Sequence, residues 1–407
     1  MIKTLRWFGK QDTISLNEIR QAGATGVVTA LHHIKNGEVW PVDEILKTQK
    51  NIESHGLTWE VVESLPVTED IKRASPLRDL HISNYKKSVR NLGECGIKTI
   101  CYNFMPVLDW ARTDLHYKLD NGAEAMYFSL VHFAAFDIHI LKRPNAASSY
   151  SSTIREKAKK YYATLTREDK NQISHNIIVK TQSFIDGSLG GDEENYLTKF
   201  NHLLASYDNI DRDKLRENFS YFLNEIIPIA EESNVKLAVH PDDPPFPLLG
   251  LPRIMSSEDD FTWLSKTCPS LNNGITFCSG SLGAKKENDL PSIYKKFADR
   301  IHFVHLRSTK VLESGDFFET EHLDESVNLP GLMKVIIEEQ VHRKKTGRND
   351  FNLPIRPDHG HKILDDFKRE ANPGYPLLGR MKGLAELSGL EKGIRHILFD
   401  TPVGSLN

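Results

Sequence analysis

Only four cysteines occur in the 407 residues, at positions 95, 101, 268 and 278, and no two form a CxxC pair. So sparse a set excludes a disulfide framework and suits a reducing compartment. Long apolar runs are missing as well. No stretch approaches the ~18 residues of a membrane-spanning helix, and the start, MIKTLRWFGKQD, lacks the apolar core of a secretion signal. Nor is there an excess of charge of one sign. A net charge of −3 gives no electrostatic attraction to nucleic acid or to an anionic membrane. What remains is an ordinary globular composition, 39% hydrophobic, enough for one large core with an insertion or for two domains. A cytoplasmic protein without nucleic-acid or membrane partners is expected.

Eight short apolar or β-branched runs recur, each ending in a polar residue: IKTLRWF (2–8), TGVVTAL (25–31), TWEVVES (58–64), IKTICYNF (97–104), VKLAVH (235–240), GITFCS (274–279), IHFVHLR (301–307) and LPIRPD (353–358). The intervals are too long for hairpins, and most carry helical periodicity. PVDEILKTQKNIESHG, for example, puts Val42, Ile45, Leu46 and Ile52 on one face and stops at Gly56. Eight βα units in series predict a (β/α)8 barrel filling 1–407 as a single domain. A doubly wound sheet is the main competitor, but no glycine-rich phosphate loop follows the first run. The stretch 104–210 breaks the rhythm. It holds a hairpin around Asp120-Asn121-Gly122, polar helical material over 148–175 and the Gly-rich loop DGSLGGDEEN. An insertion after strand four, capping the mouth of the barrel, is expected. The charge run RKKTGRND (343–350) reads as a solvated helix end.

Barrel active sites lie at the carboxyl ends of the strands. From strand five onward these exits carry His240, Cys278, His305 and Asp358. A lone histidine or cysteine at a strand end is usually a packing residue. Four ligand-type residues on four successive exits make a mixed N/S/O set suited to a divalent first-row metal. Zinc, Fe2+ and Mn2+ all remain open on ligand type alone. LPIRPDHGH (353–361) then divides its labour. Asp358 ligates, His359 is a candidate acid or base, and Arg356 offers a planar fork to a carboxylate. His361 is a support behind the site or plain loop, and the whole HGH also reads as a solvated histidine loop. Tyr375, in NPGYPLLGR, becomes an acid–base candidate if its loop folds over the mouth. The first four exits offer Arg6, His32 with His33, Glu63 and Asn103, followed by Asp109, Trp110 and Arg112. These suit a polyhydroxylated anion. Arg6 and Glu63 read equally well as structural partners, and Asp242 and Asp243 as shapers of their loop.

Taken together, TLRWFG, VVTALHHI, VVESLPV, CYNFMPVLDWARTD, LAVHPDDPP, TFCSGS, HFVHLR, RPDHGH and PGYPLLGR resemble the mannonate dehydratases over essentially the whole chain. The resemblance implies a xylose-isomerase-like barrel and an Fe2+- or Mn2+-dependent conversion of D-mannonate to 2-dehydro-3-deoxy-D-gluconate and water, in hexuronate breakdown. It implies His240, Cys278, His305 and Asp358 as metal ligands and His359 and Tyr375 as the acid–base pair, roles that leave Arg6, His32, Asn103 and Arg356 to bind the sugar acid. A homo-oligomer, in the form of a dimer, is expected. The rivals are a metal-dependent sugar isomerase or epimerase on the same barrel, a phosphodiester-cleaving endonuclease, and a non-catalytic sugar-acid-binding protein. The cysteine speaks against the first, the charge balance against the second and the adjacent acid–base candidates against the third.

Overall fold

Eight parallel strands close into a barrel: β1 (Ile2–Arg6), β2 (Gly26–Thr29), β3 (Thr58–Glu63), β4 (Thr99–Tyr102), β7 (Lys236–Val239), β8 (Asn273–Cys278), β9 (Ile301–His305) and β12 (Pro354–Arg356). In this computed structural model residues 1–181 and 193–400 are described; most of the loop DGSLGGDEEN and the tail beyond 400 lie outside them. Each expected run supplies one strand, and β12 closes on β1 through Ile2–Pro354 and Lys3–Ile355. Amphipathic helices connect the strands. The helix Val42–Ser54 buries Ile45 and Ile52 and ends before Gly56, whose φ of 70° a side chain would strain. The helix Arg212–Glu232 runs on through Pro228.

Strand periodicity explains why the exits carry chemistry. Successive side chains alternate faces, so inward positions recur every second residue. Val28, Val61, Cys101 and Phe303 pack together as one interior layer, and Thr276 donates to Cys101 within the barrel at 3.2 Å. Two residues further along the same strands stand Glu63, Cys278 and His305. Inter-strand register then sets Cys278 beside His305 and His305 beside Arg356. A polar rim thus caps an apolar barrel interior.

Between β4 and β7 the chain leaves the barrel. It forms the hairpin β5 (Asp114–Lys118) and β6 (Glu124–Phe128), then helices that include Ser152–Thr164, Arg167–Ser174 and Glu193–Ala205. These share a second apolar cluster around Phe128, Phe133, Phe136, Ile177 and Phe200. The hairpin does not stand alone. Two short strands of the seventh βα loop, β10 (Thr309–Val311) and β11 (Phe317–Glu319), extend it to a four-stranded antiparallel sheet through β6–β11 pairing.

The run RKKTGRND ends the helix Leu329–Lys345 with most of its residues exposed, as expected, but Arg343 is an exception. Arg343 is fully buried and donates to the Ala298 and Ile301 carbonyls, while Arg348 and Lys236 converge on Asp350. Backbone acceptors at the start of β9 draw the guanidinium inward. Among the described residues, no helix is long and apolar enough to cross a membrane.

Candidate metal and acid–base site

His240 follows β7 directly. Its Nδ1–H donates to the Pro241 carbonyl at 2.7 Å, so that Nε2 is the nitrogen that would face a cation across the barrel mouth. That Nε2 lies 3.3 Å from His305 Nδ1, at the end of β9. The other nitrogen of His305, Nε2, faces Glu63 Oε1 at 3.5 Å, while Arg356 Nη2 lies 3.5 Å from Nδ1. Cys278 completes a set of three whose ligand atoms all lie within 4.8 Å of one another. Asp358 adjoins it: Oδ2 is 3.4 Å from the Cys278 sulfur and Oδ1 is 3.6 Å from His305 Nδ1. Two imidazoles and a thiol converging in this way, with a carboxylate beside them, fit a divalent first-row cation. Three of the four candidate ligands therefore meet at one place, and Asp358 stands beside two of them.

Asp358 sits at φ 61°, a left-handed conformation costing a non-glycine residue roughly 1–2 kcal/mol. Its carboxylate is clamped from two sides, by Arg307 Nε at 2.7 Å and Arg356 Nη1 at 2.6 Å. The strain is held by charge. These contacts belong to a larger array. Four guanidiniums (Arg6, Arg112, Arg307, Arg356) alternate with four carboxylates (Glu63, Asp243, Glu319, Asp358), all of them buried. Burial alone raises the Glu63 carboxyl, but Arg356 and Arg6 outweigh it and hold it at about 2. Glu319 is likewise held at about 2 against burial, by Arg307, His359 and Arg112.

That depression has a measurable consequence. A carboxyl ordinarily near 4.5 and held near 2 when folded adds stability above pH 4.5 that is lost as pH falls towards 2. The contribution is on the order of 3 kcal/mol. We predict that Glu319→Gln, melted without metal, is less stable than the wild type at pH 7 and loses less melting temperature between pH 5 and 2. Parallel acid limbs for the two proteins would show that Glu319 contributes nothing to the titration.

His359 is oriented by the same array. Its Nδ1–H donates to Glu319 Oε1 at 2.9 Å, and its Nε2 faces the Tyr375 hydroxyl at 3.3 Å. Tyr375 is buried, with the guanidiniums of Arg380, Arg356 and Arg6 lying 5.5, 5.8 and 5.9 Å from its ring centre. Burial raises its hydroxyl above the usual range, and Arg356 and Arg6 oppose that rise. The loop carrying His359 is pinned by close backbone packing: a Cβ on Gly379 would lie 1.9 Å from the His361 carbonyl oxygen.

An inner chamber of about 30 Å3 is lined by His240, Asp358, His359, Tyr375, Arg356 and Glu63, among others. It opens on an outer cavity of about 890 Å3, with Arg6, Ser64, Asn103, Met105 and Asp109 common to both. Of the expected sugar-acid binders, Arg6, Asn103 and Arg356 line the chamber. His32 lines only the outer cavity. His33 is exposed and pairs with Glu44. Asp242 shapes its loop through Met255 N and Ser256 Oγ, whereas Asp243 belongs to the ionic array beside Arg112. Arg307 and Glu319 were not singled out from the sequence. Arg307 stands two positions past His305, so strand alternation was a usable signal. Glu319 had none, because its three-residue strand becomes visible only through pairing with β6.

The closed (β/α)8 barrel thus gathers metal-capable donors at its mouth beside a histidine–tyrosine pair, an arrangement of the kind found in barrel enzymes. The family D-mannonate dehydratase (UxuA) matches residues 1–400, and the chain belongs to that family. A mannonate dehydratase of Marinomonas sp. is 50% identical over 404 residues, covering 98% of this chain and all of the relative. That of Chromohalobacter salexigens is 47% identical over 399 residues, with the same coverage. The crystal structure of mannonate dehydratase from Streptococcus suis serotype 2 superposes with a TM-score of 0.76 at 31% identity, covering 100% of this chain and 97% of that one.

Proposed function

We propose that the protein dehydrates D-mannonate to 2-dehydro-3-deoxy-D-gluconate, with Fe2+ or Mn2+ held by His240, Cys278, His305 and Asp358. A divalent cation bound there supplies Lewis acidity towards the substrate carboxylate. The single observation that carries the reading is the His359–Tyr375 contact of 3.3 Å on the rim of the same chamber as His240 and Asp358.

The residues account for each atom moved. One member of the pair takes the proton from C2, and the electron pair of that bond forms the C2–C3 double bond as C3–O breaks. The other member gives a proton to the departing hydroxyl, which leaves as water, and the enol relaxes to the 2-keto product. No proton is gained or lost overall, so a transfer between Nε2 and the phenol restores the starting state. Glu319 fixes the tautomer that leaves Nε2 available. Arg356, already at the chamber wall, adds to the neutralisation of charge developing on the carboxylate. The charges support this as well. The ionic array balances itself, and a divalent cation with a thiolate and one substrate carboxylate is also neutral. The hairpin and helices over 104–210 are proposed to cap the mouth.

The test is anaerobic reconstitution with Fe2+ or Mn2+, followed by an assay for the 2-keto-3-deoxy product from D-mannonate. Metal-dependent product formation is expected. Binding of D-mannonate without turnover under either metal would favour the non-catalytic sugar-acid-binding reading instead.

A further inference from the structure

Cys278 is the first residue of Cys278-Ser279-Gly280-Ser281, which turns from the end of β8 into the short helix Ser279–Gly283. All four residues are buried, and each that follows the cysteine is fitted to Arg307. Ser279 Oγ donates to the Arg307 carbonyl at 2.7 Å and accepts from the Arg307 N–H at 2.9 Å. Gly280 leaves room for the guanidinium, with which a Cβ at that position would collide. So placed, Arg307 Nη2 lies 3.0 Å from Asp243 Oδ2, 3.5 Å from Ser281 Oγ and 3.9 Å from the Cys278 sulfur. Ser281 Oγ closes the group, 3.1 Å from that sulfur and 3.1 Å from Asp243 Oδ2.

The serine hydroxyl thus has one proton and two acceptors. Asp243 is already well supplied. Arg112 reaches its two oxygens at 2.7 and 3.1 Å, and Arg307 reaches Oδ2 at 3.0 Å. The sulfur's need depends on its own state. As a thiol it asks for no donor, and its S–H faces Asp358 Oδ2 at 3.4 Å. A sulfur that ligates a metal is a thiolate, and a buried anion is costly unless hydrogen bonds reach it. Ser281 can then turn its O–H to the sulfur with no heavy atom moving, while Asp243 keeps both guanidiniums.

Resting on Cys278 as a metal ligand in the reading above, we propose that Ser281 is a positioning residue for the sulfur, donating its hydroxyl proton to the Cys278 thiolate when the site is filled. Arg307 stands behind it as a second, more distant donor. The hydrogen bond has two effects. It stabilises the buried thiolate, so that the site holds its cation more firmly. It also draws electron density from the sulfur. A less generous sulfur leaves the cation a stronger Lewis acid towards a substrate carboxylate.

Substitution with Co2+ reads the sulfur directly. Co2+ held by a thiolate shows a sulfur-to-metal charge-transfer band, whose energy falls as electron density on the sulfur rises. In Ser281→Ala, loaded anaerobically with Co2+, the band is expected to remain but to lie at longer wavelength than in the wild type. Competition with a chelator should show the Kd for Co2+ raised by about tenfold. That is the lower end of the roughly 10–100-fold that loss of a group behind a ligand costs, because Arg307 remains. The substitution removes one buried oxygen and leaves Asp243 its two guanidiniums, so the variant should fold, which a melting curve verifies. A band and a Kd both unchanged would overturn the proposal. So would a raised Kd with an unshifted band, because the serine would then act through Asp243 and not through the sulfur. Absence of the charge-transfer band from the wild type would instead count against Cys278 as a ligand, and so is distinguishable.

Discussion

Cys278→Ala is expected to lose bound metal and activity together, while the barrel still folds. The sulfur is one of three donors with ligand atoms inside 4.8 Å, and Asp358, 3.4 Å away, is already committed to Arg307 and Arg356. Removing the thiol leaves two imidazoles and a carboxylate that two guanidiniums compete for. The activity loss should exceed the roughly 10–100-fold that removal of a group behind a metal ligand costs. Cys101→Ala is the natural control. That thiol is equally buried, but it belongs to the apolar layer with Val28, Val61 and Phe303 and contacts Thr276. It should keep its metal. Metal analysis after anaerobic reconstitution and desalting decides the matter, with a melting curve to verify folding. Wild-type metal content in Cys278→Ala would remove the sulfur from the centre.

The barrel was readable from the chain because each of its strands is a local apolar run separated from the next by a helix-length interval. The ligands were readable for a related reason. Strand alternation carries the inward parity of Phe303 to His305, and that of Val61 to Glu63, so a polar residue ending a buried run marks the rim. What stayed hidden depends on partners remote in sequence. Phe317 pairs with Phe128, and only this pairing brings Glu319 to His359. Arg112 looked like a substrate binder, but Asp243 and Glu319 hold it at 2.7 and 3.1 Å and make it a strut. RKKTGRND is mostly the solvated helix end that its charge suggests, and it departs from that only at Arg343, which finds two backbone carbonyls to bury against. Charged residues are read poorly from sequence because their burial turns on a partner.

That remote partner also shapes the second large effect. His359→Asn should keep the metal and lose turnover by roughly 10²–10⁴-fold, the usual contribution of a positioned acid or base. Asparagine can still donate to Glu319, so the ionic array with Arg307 and Arg112 survives, but it has no nitrogen able to carry a proton to or from carbon. Tyr375→Phe should cost a similar factor, since the phenol is the other end of the 3.3 Å contact. The double variant should be little worse than the more damaging single one. Both groups serve one proton cycle, and residues that act as a unit do not contribute additively. Measured against metal content, the three variants separate chemistry from cofactor binding. Full activity in His359→Asn would remove the histidine from the mechanism. A double variant as poor as the product of the two singles would mean that the pair works as two independent groups.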